Sequence, residues 1–203
     1  MFRSSSCFKK RTNVLTYYSI FFIVIVISIA SCRQQSSTSE RAMLFLRRID
    51  SVYYSIDERG DLFDVYNQKL VNDFAKNNRL PLAKQQIDSL ISLFDDYMSA
   101  IDFGKQKIYK IPEFDTAFSI VRKNILFLQS QKIFWNKWVP RFISLYRIGW
   151  ENLGDSEKIE IIQSAKQMKE SQSTANKLID DLLLLDQKFA KKYGFNYVPR
   201  APG

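Results

Sequence analysis

The sequence predicts an all-α fold, an antiparallel up-down four-helix bundle built from long helices. Three observations carry that prediction. Apolar residues recur at alternating steps of three and four over four long stretches, the periodicity of a helix with one buried face. Breaks of a few residues, marked by Asn, Pro and Gly, separate those stretches, and short connections make consecutive helices antiparallel neighbours. No run alternates with strand period over enough residues to compete, and no repeat of 20 to 50 residues points to a solenoid.

At the N-terminus, Arg3, Lys9, Lys10 and Arg11 precede an uncharged apolar run from Tyr17 to Ala30. That is the order of a secretory signal, a basic segment followed by an apolar one. Ile29-Ala30-Ser31-Cys32 closes the run with an aliphatic residue, two small residues and a cysteine. In this it resembles the lipobox of bacterial lipoprotein precursors. The resemblance implies a signal peptide over 1–31, a thioether-linked diacylglyceryl group on Cys32 and acylation of the amino group freed by cleavage. Two or more buried acyl chains hold a protein firmly, at about 0.8 kcal/mol per methylene. The alternative is an uncleaved helix, since Thr12 to Ser31 is uncharged and about the ~20 residues that span a bilayer. Basic residues before the run keep that end cytoplasmic in either case, so both readings put the rest of the chain outside the cytoplasm.

Residues 32–40 are expected to be the lipidated cysteine and a flexible tether, because Arg33 to Glu40 is too polar to bury apolar surface. By the same resemblance, the absence of Asp after Cys32 favours the outer membrane over the inner one. The absence of an acidic cluster there favours the periplasmic leaflet over the cell surface.

The bundle is expected over 41–195. In the first helix the stripe is Leu46, Ile49, Val52 or Tyr53, Ile56, Phe63, Tyr66, Leu70 and Phe74, and its register survives across Gly60, so a single helix is expected there. Asn77 to Leu80 is a stop. Pro81 is expected at the first position of the second helix, which carries Ala83, Ile87, Leu90, Phe94, Tyr97 and Ile101 and ends near Gly104. Lys105 to Ile111 reads as a basic linker, and Pro112 with Glu113 as the opening of the third helix.

That third helix bears Phe114, Phe118, Val121, Ile125, Leu128, Trp135, Trp138, Phe142 and Leu145, with a kink expected near Asn136 to Val139 because Pro140 removes a ladder hydrogen bond. Asp155 is expected to cap the fourth helix. Its stripe reads Ile159, Ile162, Ala165, Met168, Gln172, Ala175, Ile179, Leu182, Leu185 and Phe189, with a polar middle from Lys169 to Lys177. Gly194 ends it, and 196–203 form a tail. Phe189 to Phe195 loosely resembles the last helix of small helical lipoproteins, a likeness that implies no activity.

The chemistry on offer is narrow. There is no histidine, so Ser-His-Asp and Cys-His arrangements and the usual zinc and di-iron sites cannot be built, and no metal site or cofactor is expected. Cys7 falls in the signal and Cys32 carries lipid, which leaves the body without a thiol. No glycine pattern cradles a phosphate. Net charge is +9, but four of the 30 basic residues and none of the 21 acids precede Cys32, so the remainder is +5. That is a mildly basic mixed surface, and no nucleic-acid partner is expected.

Asp57-Glu58, Asp95-Asp96 and Asp180-Asp181 point about 100° apart within each pair and read as solvated flanks, so no catalytic residue is assigned. The expected partner site is the aromatic and basic cluster Trp138, Arg141, Phe142 and Trp150, the residue types that anchor interfaces. The sequence therefore suggests a protein held to the membrane through Cys32, binding an envelope partner or serving a structural role without catalysis. Its alternatives are a carboxylate-dependent enzyme acting on envelope polymers and a self-protecting lipoprotein.

Overall fold

The computed structural model describes residues 8–198, with side chains described for 37–198. Helices α1 (Phe8–Lys76), α2 (Lys84–Tyr109), α3 (Ile120–Ile148) and α4 (Asp155–Tyr193) succeed one another, with a single 3-10 turn, Trp150–Asn152, before α4. Among the described residues there is no strand. Each helix packs on the next and α4 returns to α1, closing the antiparallel four-helix bundle; the α4–α1 seam is the sparsest. The lipobox, Cys32 and the apolar run before it lie outside the residues whose side chains are described. Among the described residues no helix is long and apolar enough to cross a membrane. Residues 37–40, expected in the tether, are helical and belong to α1.

The α1 stripe is the centre of the core: Leu46, Ile49, Val52, Tyr53, Ile56, Phe63, Leu70 and Phe74 are all buried, and Tyr66 packs partly against them. The helix runs unbroken through Gly60, whose missing side chain admits the Tyr97 ring. Ile87, Leu90, Phe94 and Ile101 of α2 meet that stripe. Phe63 is the hub of the middle layer, with Phe94 at 5.7 Å and Trp135 edge-on at 5.6 Å.

Four boundaries differ from expectation. Gly104 does not stop α2; it lies inside it and buried, where a Cβ would stand 2.4 Å from Ile56 Cδ1. The glycine is there for close helix approach, so the linker expected over Lys105 to Ile111 is mostly helix, with Ile108 fully buried. Pro112 then disfavours helical backbone in Ile111 and ends the run. α3 opens at Ile120 instead of Pro112, and Glu113 Oε1 accepts a hydrogen bond from the backbone N–H of Arg122 in its first turn. Phe114 and Phe118, in the connection, still reach the core by their rings on Phe189.

Pro81 precedes α2 in extended chain, with Ala83 at the cap position, and Leu82 takes the buried place that the stripe assigns to Ala83. Gly154, one residue before the expected Asp155, caps α4, and its N–H donates to Glu157 Oε2 at 2.8 Å. α3 continues through Pro140 as one helix, and Gly194 ends α4 in the left-handed region as expected.

The first half of α4 is set differently from the expected stripe. Ile159 and Ile162 face solvent, while Ser164 is buried and Ile161, Met168, Ser171 and Ala175 are half-buried. Arg141 explains the register: its guanidinium donates to Ser164 Oγ and reaches towards Glu160, so a polar contact fixes which face of α4 meets α3. Only near its end does α4 bury large side chains, with Phe189 among five aromatic rings.

Candidate functional site

Of the expected docking cluster, Trp138 is turned inward, Phe142 and Trp150 are half-buried, and Arg141 is exposed. Trp138 is 1% exposed, and Lys137 and Arg141 cover its ring at 4.6 and 5.3 Å from the centroid. A ring so buried cannot anchor a partner. Phe142 and Trp150 are half-buried and packed against the core, and Arg141 is held by Trp138 and Ser164. The physical reason is the helical stripe itself: Trp138 lies on the face that α3 turns to the core, as large aromatics at this spacing usually do.

One cavity that the fold leaves open lies elsewhere. A cleft of about 220 Å³ lies where α1, α2, α3 and α4 should meet, on the thin side of the bundle. Its walls are apolar: Ile56, Ile101, Leu128, Ile179 and Leu182 contribute. Polar groups converge on it from every side: Asp50 and Asp57 of α1, Tyr97 of α2, Asn124 and Gln131 of α3, Asp186 of α4 and Tyr197 beyond it. Small-molecule sites have this makeup, an apolar concavity with a few placed polar groups.

Two hydrogen-bonded pairs hold the lining. Tyr53 donates its hydroxyl to Asn124 Oδ1 at 2.8 Å, and the Asn124 amide donates to the Ile120 carbonyl at 2.9 Å, the i to i−4 group on its own helix. Asn124 is therefore locked in a buried position. Tyr197 donates to Asp50 Oδ1 at 3.0 Å and closes one end of the cleft.

Asp57, a solvated flank by its place in the sequence, lines the cleft; Asp95, Asp96, Asp180 and Asp181 are exposed as expected. Sequence reasoning misses Asp50 and Asp186. A signal exists for both. Asp50 and Asp57 are seven residues apart and so share a face, and Asp186 stands at three- and four-residue steps from Leu182 and Phe189 on an apolar stripe.

The titrating groups near the cleft have clear causes. Burial pushes the Tyr97 hydroxyl up to about 12; Trp135 opposes the shift and the Asp64, Asp57 and Asp61 charges add to it. Asp64 itself is raised, first by desolvation and then by the Asp61 charge, and it does not line the cleft. A raised carboxyl is more protonated in the folded chain, so it favours folding at low pH, and that stability is lost as pH rises through its folded pKa. Asp64→Asn is expected to raise the melting temperature at neutral pH, with the gain shrinking in a pH series taken down into the carboxylate range. The exposed position of Asp64 keeps the effect small.

Among the described residues no group of three or more His, Cys, Asp or Glu is placed to hold a metal ion. A second groove, of about 430 Å³, is lined by residues of α3 and α4, among them Leu126, Leu178, Leu185, Lys123 and Lys188. Compared with protein-family models, curated proteins and solved structures, the chain matches none.

Proposed function

We propose that this chain is a lipid-tethered protein of the bacterial cell envelope that acts by binding a small ligand in the cleft, without catalysis. Support for the tether is the sequence Ile29-Ala30-Ser31-Cys32 after a basic and an apolar segment. The lipobox resemblance favours the periplasmic face of the outer membrane. The observation that carries binding is the cleft, whose apolar walls and converging Asp50, Asp57 and Asp186 suit a ligand with an apolar body and a positive end.

Two measurements test this reading. Cys32→Ser is expected to move the protein from the membrane fraction to the soluble one, with the acyl mass lost; an intact Met1 with an unmodified Cys32 in the wild-type protein would refute the tether. A panel of alkyl amines and guanidines is expected to raise the melting temperature with concentration, as any ligand selective for the folded state does. Asp57→Asn with Asp186→Asn should abolish the rise, and a panel without any shift removes the cleft from consideration.

One observation favours a second reading. The cleft brings Asp57 of α1 and Asp186 of α4 to the same cavity, and paired carboxylates on separate elements are the apparatus of glycoside hydrolysis. Hydrolysis of envelope polysaccharide that disappears in Asp186→Asn would establish that reading over binding.

A further inference from the structure

The groove lined by α3 and α4 differs chemically from the cleft. Leu178, Leu182, Leu184 and Leu185 of α4 and Leu126 and Phe127 of α3 make its lining largely apolar. Leu126, Leu178 and Leu184 stay exposed, so this is apolar surface that the bundle leaves in water, the mark of an interaction site. The charged lining residues are Lys123, Lys188 and Asp181, two positive and one negative, which leaves +1. Among the described residues none of the three is in an ion pair. Their order along the groove follows from the helix register. Arg141 meets Ser164 and Phe118 meets Phe189, which sets Lys123 near the level of Leu184 and Leu126 near that of Asp181. Lys188 stands one turn beyond Leu184, towards the C-terminal end of α4. The lysines therefore mark one end of the groove, and Leu178, Leu182 and Phe127 the other.

We propose that this groove binds one free long-chain fatty acid, its carboxylate between Lys123 and Lys188 and its chain lying along α4 towards Leu178. Shape and charge both fit. From Leu178 to Lys188 the helix rises about 15 Å at 1.5 Å per residue, so the site is elongated along the helix axis, as an acyl chain is. A lysine ammonium is a point charge on an apolar stem, so each can meet the carboxylate while its methylenes cover the first part of the chain. One carboxylate neutralises the +1 of the lining. Asp181 opposes a doubly charged head such as a phosphate monoester, because it repels the second negative charge.

This site goes beyond the binding reading given to the cleft. The two cavities share Phe127 and Leu182, yet they ask for ligands of opposite charge, so either can fail alone. The test uses the full-length protein in nanodiscs of zwitterionic phosphatidylcholine and a hexadecanoate that carries a photoreactive diazirine near its methyl end. Irradiation, proteolysis and peptide mass spectrometry then read where the chain lay.

The label is expected on the peptides that hold Leu126 and Leu178 to Leu182. Unlabelled hexadecanoate should compete at about tenfold lower concentration than hexadecanol, which keeps the chain and lacks the charge-assisted hydrogen bonds. Lys123→Gln with Lys188→Gln should lower labelling about tenfold and leave the melting temperature in place, since both side chains are exposed. Asp181→Asn should raise labelling. Equal competition by the alcohol, or unchanged labelling in the lysine variant, would overturn the proposal. So would label confined to peptides of α1 or α2, which would put the acid elsewhere. Two further results would overturn it by giving the groove to another occupant: labelling abolished when phosphatidylglycerol is added to the nanodiscs points to a phospholipid, and labelling that falls as protein concentration rises points to a second copy of the chain.

Discussion

Phe189→Ala is expected to cost about 3–5 kcal/mol, the range for removing a fully buried aromatic ring. Phe189 is 0% exposed and stands among Phe45, Phe114, Phe118, Tyr193 and Phe195, with centroids between 4.7 and 6.4 Å. Those rings come from α1, from the α2–α3 connection, from α4 and from the tail. One side chain therefore joins parts of the chain that are far apart in sequence. The loss should be larger than at an average core position, because the first half of α4 buries little and cannot compensate. Guanidinium unfolding followed by circular dichroism measures it. A loss below about 1 kcal/mol, the size of an ordinary substitution, would mean that α4 is held by something other than this cluster.

Gly149→Ala is the second change of large effect, expected to cost about 3 kcal/mol or more from backbone strain and overpacking together. Gly149 ends α3 with φ +79° and ψ 148°, a conformation that residues with a side chain hardly enter. A Cβ there would stand 2.6 Å from Pro81 Cδ and 2.8 Å from Pro81 N, and backbone cannot swing aside as a side-chain tip can. The surrounding contacts raise the stakes. Leu82 N–H donates to the Tyr146 carbonyl and Trp150 N–H to the Arg79 carbonyl, so the α1–α2 connection is stitched to the end of α3 at this glycine.

Gly194→Ala makes a fair comparison. It has φ +73° but nothing within 4 Å of an added Cβ, so only the left-handed strain of about 1–2 kcal/mol applies. Equal losses at the two glycines in the same denaturation assay would show that the Pro81 contact is unimportant.

Two carboxyl groups of the bundle act in opposite senses. Asp64, raised, favours folding at low pH. At the α2–α3 connection, the Lys192 ammonium and then the Tyr193 hydroxyl hold the Asp115 carboxyl below the usual carboxylate range. Its contribution is present above the ordinary carboxylate pKa and fades as pH falls through the lowered one. Asp64 is exposed and Asp115 pairs with a lysine that is half open to water, so neither sets the acid limit of the fold alone.

Helix number, order and the buried face of α1 were legible in the sequence because period-3.6 patterning is a local property: a stripe such as Ile49, Val52, Ile56, Phe63 and Leu70 has no soluble alternative to burial. The lipobox reading is local in the same way and rests on four adjacent residues. Three-dimensional packing alone decided the rest. Gly104 became an approach site because Ile56 of another helix needed the room, and Phe114 and Phe118 entered the core from outside any helix because Phe189 was there to meet them. Trp138 was claimed by the core, and Arg141 and Ser164 set the face of α4. The cleft was invisible for the same reason: it lies along the sparse α1–α4 seam, and a gap between helices is a property of no single helix's sequence.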